Sequence, residues 1–425
     1  MTNTLYLPEL REMLAANDRA GLEEFCTALH HPARTAEFVE GLTAEEAWAV
    51  LQHAELPLRV EIFGYFEPER QVEIIEAGDR PAIAEFVAHL PSDDRVDLLN
   101  EVEPDVVAEL MPLIPTEERR DIQRLGAYPE DTAGAEMSTE FARLSEDLTV
   151  GQALEEVSRQ AAELETIYYL YVVDKEDHLL GLVSARHLVS ALGKPDTRID
   201  DLMERDLITV SVSDDQEEVA KKVARYDLTA IPVVDDEHHM LGIVTHDDVL
   251  DVMVEEARED AYLIAAVAPL EESYLETPVF NLTWKRGIWL TVLFFGALLT
   301  AIALHSYRDV MDTPDTLWLV LFIPLVISTG GNSGNQSATL IITALSTGNI
   351  TLADWWRVIV RELAMGLLLG GFLGVIGYLS ALWWAPNYRA AAVVPLTLLL
   401  VVVCGTLSGS LLPLLFKRLG LDPAM

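Results

Sequence analysis

A block of small and amide-bearing residues lies inside an apolar stretch of this sequence. The stretch Pro324 to Leu345 reads PLVISTGGNSGNQSATLIITAL, and its centre is nearly all Gly, Asn, Gln and Ser. Hydrocarbon offers no hydrogen-bond partners, so such a block belongs where it faces protein or a water-filled cavity. Uncharged amide oxygens suit a cation that keeps its water shell. We therefore expect an ion pathway lined by Gly330, Gly331, Asn332, Gly334 and Asn335.

Helix packing is the alternative interpretation of this block. Gly330 and Gly334 have the small-xxx-small spacing that lets membrane helices approach closely. Packing would account for the glycines, but it does not account for the amides at Asn332, Asn335 and Gln336. The amide positions therefore favour the ion pathway.

Carboxylates form the second group of residues with chemical potential, and they are dense between positions 214 and 260. On a helix after Thr245, Asp248 and Asp251 would share a face, as would Glu255 and Glu259. Clustered like charges destabilise a helix unless a cation or a partner neutralises them. Hard oxygen ligands favour Mg²⁺ or Ca²⁺ over zinc. A solvated acidic surface is the alternative.

The charge divides the chain into an acidic part and a nearly neutral part. The 425 residues carry a formal net charge of −40. Residues 277–425 contain eight basic and six acidic residues, which leaves 21 basic and 63 acidic residues in 1–276. Such an acidic surface repels nucleic acid and attracts divalent cations. Cys26 and Cys404, one in each part, give no disulfide framework, and no signal peptide is evident at the N-terminus.

Residues 1–130 are expected to form an acidic helical domain. Apolar residues recur at helical spacing, and prolines at 57, 68, 81, 91, 104, 115 and 129 suit the first turns of short helices. The pair Arg59-Val60 recurs as Arg95-Val96, 36 residues later. That period predicts stacked helix pairs in a small superhelix.

Residues 131–255 contain one unit written twice. Val172 and Gly181 of the first copy match Val233 and Gly242 of the second, both at a spacing of 61. Each copy reads strand, turn, strand and then a helix, with another helix before the strand pair. The final helix begins near position 184 in the first copy and near position 245 in the second. The sequence therefore predicts a tandem α/β pair.

The remainder reads as a connecting helix over 256–276 and a membrane domain over 277–425. Four apolar spans are predicted near 287–305, 317–344, 363–384 and 391–416. Basic residues at 285–286, 357, 361 and 417–418 fall on one side if the spans alternate, which makes that side cytoplasmic. The chain is thus expected to be a multi-pass protein of the cell inner (plasma) membrane, with its N-terminal region in the cytoplasm.

The repeated VVD…LGxVS/T pattern resembles a tandem pair of CBS domains, modules that often bind adenosine nucleotides. By that resemblance a Ser/Thr-x-x-Asp holds the ribose, and Thr245 to Asp248 keep this motif. The first copy has His187 in place of the aspartate, and an imidazole cannot accept two ribose hydrogen bonds as a carboxylate does. We therefore expect weak or no ATP binding there, with Tyr169 and Arg186 as the candidate contacts.

The whole arrangement, with a span that carries GGNxGNQSATLI, resembles the MgtE family of magnesium channels. The resemblance implies a multidomain α-helical membrane protein: an N-terminal helical superhelix, an α/β CBS pair, a connecting helix and a transmembrane bundle. It also implies a homodimer in the lipid bilayer, Mg²⁺ as transported and regulatory ion, and no catalysis. Family members have five spans, so we expect this chain to lack the fifth, whose aspartate faces hydrated Mg²⁺.

The resemblance further implies a set of Mg²⁺-sensing ligands. They are Glu61, Asp93, Asp97, Asp215, Glu217, Asp227, Asp248, Asp251, Glu256 and Glu259, with Asp422 at the membrane face. The expected function is Mg²⁺ influx closed by intracellular Mg²⁺. The alternative is a secondary transporter of another divalent cation or an anion, with nucleotide sensing by the CBS pair. A membrane-tethered enzyme is a poor third, because no catalytic constellation is evident.

Overall fold

Short helices form the first part of the chain, and long helices form the last. The computed structural model describes residues 5–28, 31–161, 164–270, 274–275, 277–313 and 315–423. The chain divides into two compact units, Met1–Glu256 and Ala257–Met425.

Ten helices precede the first strand in the described residues: α1 Leu7–Ala16, α2 Arg19–Ala28, α3 Pro32–Val39, α4 Ala44–Leu51, α5 Leu56–Phe63, α6 Pro68–Ala77, α7 Arg80–Val87, α8 Ser92–Glu101, α9 Pro104–Leu110 and α10 Thr116–Leu125. Their core includes Trp48, Phe63 and Phe86, whose rings meet edge to face. The prolines at 57, 68, 81 and 104 lie in first turns, and those at 91 and 115 immediately precede helices. Position 129 lies in a loop, so the expectation was wrong there.

The 36-residue repeat is real, but each period holds three short helices instead of the predicted pair. Helices α4, α5 and α6 correspond to α7, α8 and α9. Arg59 donates to the carbonyls of residues 51, 52 and 54, at the end of α4. Arg95 donates in the same way to residues 87, 88 and 90, after α7. The repeated Arg therefore caps the helix that lies before its own.

The two copies of the tandem unit each form a three-stranded sheet. Strands β1 Phe141–Ser145, β2 Thr166–Val173 and β3 Leu179–Ser184 make the first, and β4 Val210–Ser211, β5 Ala230–Val234 and β6 Met240–Thr245 make the second. Val172 pairs with Gly181, and Val233 pairs with Gly242, as the repeat requires. The expected strand pairs are confirmed, and each gains a parallel edge strand, β1 or β4, that the sequence did not indicate.

Helices flank these strands where the repeat predicted them. Helix α11 is Val150–Gln160, α12 is Ala185–Ser190, α13 is Gln216–Tyr226 and α14 is His246–Ile264. The two copies meet where His178 stacks on His239, with ring centroids 4.3 Å apart. The connecting helix differs from the prediction. It is the continuation of α14, it ends at Ile264, and residues 265–270 and 274–275 are not helical.

Among the described residues of the second unit, four helices are long and apolar enough to cross a membrane. They lie within Val279–Ser306, Leu317–Ser346, Leu352–Ala381 and Tyr388–Arg418, which confirms the four predicted spans with longer bounds. The helices are α15 Val279–Ser306, α16 Arg308–Met311, α17 Ile323–Ser346, α18 Trp355–Ala381, α19 Tyr388–Ala391 and α20 Val393–Arg418. Helix α20 packs against both α17 and α18.

Candidate functional site

Carboxylates from four separate segments meet in the first unit. We call this group the acidic cleft. Helix α8 contributes Asp93, Asp94 and Asp97, and α14 contributes Asp248. Glu136 and Glu165 come from the segments before β1 and before β2. Carboxylate oxygens of Asp93, Glu165 and Asp248 lie within 4.8 Å of one another. Three acidic side chains at this spacing offer a ligand set for one metal ion.

Neighbouring bonds hold α8 against the segment that precedes β1. Ser92 accepts a hydrogen bond of 2.8 Å from the backbone N–H of Thr139. Arg95, which is 3% exposed, also donates to Glu140 at 3.2 Å. These bonds fix the helical array against the tandem pair, so that the first turn of α8 points its aspartates toward Glu165.

Asp93 is the most buried member of the cleft. Its side chain is 6% exposed, and within the described part of the chain its Oδ1 atom has no hydrogen-bond partner. Burial raises the pKa of Asp93 well above its usual value, and the nearby Glu165 and Asp248 raise it further. A buried carboxylate oxygen without a donor is costly unless a proton or a cation satisfies it.

The other cleft carboxylates have raised pKa values for the same reasons. Loss of water and nearby acidic groups raise the pKa of Glu165 to about 8 and that of Glu136 to about 8. Solvent reaches Asp94 and Asp97 at the rim, yet partial burial and the neighbouring carboxylates raise their pKa values to about 6 and about 7. The cleft therefore holds protons near neutral pH unless a cation displaces them.

Asp248 joins the cleft to the start of α14. It accepts hydrogen bonds from the backbone N–H and the hydroxyl of Thr245, which fix its orientation. Burial raises the pKa of Asp248 although these bonds act against the shift. All the ligand atoms on offer are hard oxygens, which suit Mg²⁺ or Ca²⁺.

Four of the predicted ligands belong to this region. Asp93, Asp97 and Asp248 are cleft members, and Asp251 lies close enough for its charge to raise the pKa of Asp94. Sequence reasoning missed Asp94, Glu136 and Glu165. Asp94 follows Asp93 directly and could have been noticed, but nothing in the pattern around the two glutamates marks them.

The remaining predicted ligands lie elsewhere or have other partners. Asp215 caps α13 by accepting from the N–H of Glu217, and Glu217 pairs with Lys221 at 2.8 Å. Glu256 accepts a hydrogen bond of 2.7 Å from Gln216. The others have exposed side chains and are Glu61 in α5, Asp227 at the end of α13, Glu259 in α14 and Asp422 after α20. Their role as ligands stays a prediction.

The two copies of the tandem unit differ at the predicted nucleotide contacts. In the first copy, Ser184 accepts from the N–H of His187 and so caps α12, while Arg186 is exposed and Tyr169 is half-buried. In the second copy the matching threonine donates its hydroxyl to Asp248. The aspartate of the ribose motif is thus already part of the acidic cleft.

Helix α17 has two polar faces. Gly330, Ser333 and Ser337 are buried against the neighbouring helices. The glycines lie against α20, where a Cβ on Gly409 would come within 2.1 Å of the carbonyl oxygen of Gly334. Within this chain, Gly330 and Gly334 therefore allow close helix packing, which was the alternative interpretation of this block.

The opposite face of α17 carries the amides. Gly331, Asn332, Asn335 and Gln336 are exposed, and Asn332 donates to the hydroxyl of Ser328 at 3.3 Å. An exposed amide stripe on a membrane-length helix needs a polar environment. Pore lining stays a prediction for Gly330, Gly331, Asn332, Gly334 and Asn335. Sequence reasoning missed one buried group beside this helix, Glu362 of α18, which is 9% exposed.

Three sequence profiles match consecutive parts of the chain. Residues 30–131 match the MgtE intracellular N domain, residues 133–194 and 199–255 match CBS domains, and residues 323–425 match the MgtE divalent cation transporter domain. The magnesium transporter MgtE of Thermus thermophilus is 40% identical over 305 residues, which cover 72% of this chain and 67% of the relative. The chain belongs to the MgtE family.

Further relatives agree with this assignment. MgtE of Enterococcus faecalis is 37% identical over 72% of this chain and 66% of the relative, so the match spans about two thirds of these transporters. The crystal structure of the soluble part of a magnesium transporter covers 59% of this chain and 97% of itself, with 34% identity and a TM-score of 0.55. The cytosolic domain of the Mg²⁺ channel MgtE, solved in complex with ATP, covers 57% of this chain and 98% of itself, with 35% identity and a TM-score of 0.53.

The family membership confirms the fold class expected from the sequence. An N-terminal helical domain, a CBS pair and membrane-length helices follow one another in the predicted order. The MgtE relatives are magnesium transporters, and the matching family models are those of MgtE and of CBS domains. This chain is therefore a membrane protein of a magnesium-transporting family.

Proposed function

We propose that this chain conducts Mg²⁺ into the cell and that Mg²⁺ bound in the acidic cleft closes the pathway. The observation that carries the regulatory part is the buried Oδ1 atom of Asp93, which has no hydrogen-bond donor among the residues that the structure describes and lies beside Glu165 and Asp248. Protons or a cation must neutralise this group. In a magnesium-transporting family, the intracellular concentration of the transported ion is the natural signal.

Electrostatic repulsion supplies the two states. The helical array contributes α8 to the cleft, whereas Glu165 and Asp248 come from the CBS pair. Two unit charges 4 Å apart interact by about 4 kcal/mol at an effective dielectric near 20. In the closed arrangement the cleft needs protons or a cation near neutral pH. Without Mg²⁺ the carboxylates ionise as α8 moves away from the CBS pair, and bound Mg²⁺ draws the two together. A ligand shifts a population in this way only because it binds one state more tightly.

Helix α14 is the element that would carry this change toward the membrane unit. Asp248 lies in its first turn, and the helix runs without interruption for 19 residues, or about 28 Å at 1.5 Å per residue. Ligands from the resemblance, Glu256 and Glu259, lie further along it. Closure of the cleft would fix the direction of α14. It would thereby bring the predicted connecting segment, 256–276, against the cytoplasmic end of the ion pathway near Asp422.

The amide stripe of α17 would line the conducting path. Mg²⁺ dehydrates reluctantly, so uncharged oxygens that bind through its water shell suit its passage. Two copies of the chain would enclose the path, as expected from the family resemblance. The basic residues that flank the spans favour a cytoplasmic location for the acidic unit, with the protein in the plasma membrane.

Small-angle scattering on residues 1–270 tests the closure, with and without about 10 mM Mg²⁺. The radius of gyration should shrink when Mg²⁺ is added. The triple variant Asp93→Asn, Glu165→Gln and Asp248→Asn should lose this change. A control triple of exposed residues in the helical array and the following loop, Asp105→Asn, Glu117→Gln and Glu130→Gln, changes the charge equally and should keep it. An unchanged wild-type radius would leave the acidic surface with a solubility role only.

Transport itself is tested by Mg²⁺ uptake into vesicles that contain the purified chain. The same assay at high Mg²⁺ on the cleft side should show lower flux in the wild type than in the triple cleft variant. A flux that depends steeply on a proton or sodium gradient would contradict a channel and favour a secondary transporter.

A further inference from the structure

An apolar groove lies on the surface of the membrane helices, between the beginning of α18 and the end of α20. Its volume is about 420 Å³. Its walls include Leu411 and Leu415 of α20, Ala353 of the short turn Leu352–Asp354, and Trp355 of α18. Such a groove can take an apolar chain laid along the helix surface.

The floor of the groove is formed by packing within the second unit. Leu414 lines the groove, is 5% exposed and belongs to a buried cluster with Leu345 of α17 and Val358 of α18. On either side of it, Leu411 and Leu415 are 39% and 49% exposed. The groove is therefore preformed, and its apolar walls are open to the hydrocarbon of a bilayer.

Arg418 supplies a positive charge at one end of the groove. It lines the groove as the last residue of α20, its side chain is exposed, and it forms no ion pair among the residues that the structure describes. Leu411 lies two turns before it on the same face of the helix, about 10 Å away along the axis. The groove thus runs from a cation into an apolar channel, which is the order of groups in a phospholipid.

The surrounding residues place this cation at the level of lipid head groups. Trp355 and Trp356 are 52% and 59% exposed, and tryptophan is enriched where a bilayer meets water. Residues 351–361 and 411–422 carry four basic and two acidic side chains, a net charge of +2. The positive charge favours the cytoplasmic side, whose leaflet contains anionic lipids.

One carboxylate lies next to the lining residues in the sequence and would repel a phosphate if it were unpaired. Asp354 accepts hydrogen bonds from the N–H and the hydroxyl of Thr351 at 3.2 and 3.0 Å, and from Arg357 at 3.0 Å. Its charge is therefore offset by Arg357. Arg418 remains as the charged group that lines the groove.

We propose that this groove binds one phospholipid with an anionic head group from the cytoplasmic leaflet. Arg418 binds the phosphate through charge-assisted hydrogen bonds, and an acyl chain lies along Leu411 and Leu415 over Leu414. A free phosphate would leave the apolar walls uncovered. The bound lipid joins the beginning of α18 to the end of α20, and its binding does not depend on which ion the chain conducts.

Native mass spectrometry of the full chain in detergent measures the binding directly. With titrated phosphatidylglycerol, the wild type should retain one lipid per chain. Phosphatidylcholine with the same acyl chains has no net charge and should bind about fivefold more weakly or worse. Added phosphatidylglycerol should also raise the melting temperature, because a ligand that binds only the folded state stabilises it.

Two variants test the two ends of the groove. Arg418→Gln should weaken the retention of phosphatidylglycerol by about tenfold, because it removes charge-assisted hydrogen bonds. Arg361→Gln changes the charge equally at an exposed position outside the lining and should keep the lipid. Ala353→Phe fills the groove without a change of charge and should also lose the lipid, whereas Ala301→Phe on the exposed surface of α15 should keep it.

Equal retention of the two lipids, or equal losses in Arg418→Gln and Arg361→Gln, would overturn the inference, because the lipid would then be ordinary bilayer contact. Displacement of the lipid by an equal concentration of glycerol phosphate would contradict the acyl-chain groove. A wild-type dimer that retains no lipid would show that a second copy covers the groove. Arg418→Lys keeps the charge and should keep the preference for phosphatidylglycerol; loss of that preference would refute head-group binding by charge.

Discussion

Replacing Asp93 by Asn should stabilise the acidic unit without Mg²⁺ and weaken its response to Mg²⁺. The substitution keeps the shape of a side chain that is 6% exposed and removes its charge. In the wild type, the ionised Asp93 would lie beside Glu165 and Asp248 with oxygens within 4.8 Å. The variant has one repulsive partner fewer and one metal ligand fewer.

The size of the effect follows from the carboxyl group of Asp93 itself. Burial raises the pKa of Asp93 well above its usual value, and the nearby Glu165 and Asp248 raise it further. A buried polar group without a partner costs about 1 to 3 kcal/mol, so we expect roughly 2 kcal/mol from replacing this carboxyl group by a neutral amide. For a domain of this size, that free energy raises the melting temperature by about 4 to 8 °C.

The sign of the pH dependence is set by the direction of these pKa shifts. A carboxyl group whose pKa is raised by folding stabilises the fold below its unfolded pKa and loses that contribution as the pH rises through the folded pKa. For Glu165 and Glu136 the loss runs from 4.5 to about 8. The Mg²⁺-free wild type should therefore become less stable across this range, and Asp93→Asn should show a shallower loss.

Thermal unfolding of residues 1–270 between pH 5 and 8.5, with and without about 10 mM Mg²⁺, measures all three effects. Asp105→Asn in the first turn of α9 is the matched control, because that side chain is exposed and lies outside the cleft. It should leave the Mg²⁺ response unchanged. A variant Asp93→Asn that melts lower at pH 8 without Mg²⁺, or keeps the full Mg²⁺ response, would refute the reasoning.

Three further predictions concern other parts of the chain. Asn332→Leu should reach the membrane but lose Mg²⁺ uptake, measured in vesicles, because it removes an amide from the exposed stripe of α17; wild-type uptake would contradict the pore assignment. Calorimetry on the soluble unit should find no tight ATP site at the first CBS copy, and His187→Asp should strengthen binding; tight binding by the unmodified protein that needs Arg186 would contradict this. Arg95→Met should lower the free energy of unfolding by about 3 kcal/mol, because three carbonyls and Glu140 lose a buried donor. Denaturant unfolding measures this loss, and a loss no larger than that of the control Arg119→Met would contradict the prediction.

Repetition and periodicity in the sequence predicted the domain order and most of the helices and strands. The spacing of 61 residues predicted the pairing of Val172 with Gly181 and its copy, because strand pairs follow from local pattern and a short turn. Apolar runs predicted the four membrane-length helices for the same reason. The added edge strand of each sheet escaped notice because a parallel neighbour comes from a distant segment. The Arg-Val repeat predicted the period of the helical array but could not count the helices within it.

The tertiary structure decided which polar residues meet. Asp93 and Glu165 are 72 positions apart in the sequence, and only the docking of α8 on the CBS pair buries one against the other. The same holds for Ser337 and Glu362, and for the glycines of α17, whose packing role depends on those of α20. Residue types and spacing specify each helix and strand, because those depend on neighbours in the chain. Burial and charge crowding depend on neighbours in space, and these set the pKa values of the acidic cleft.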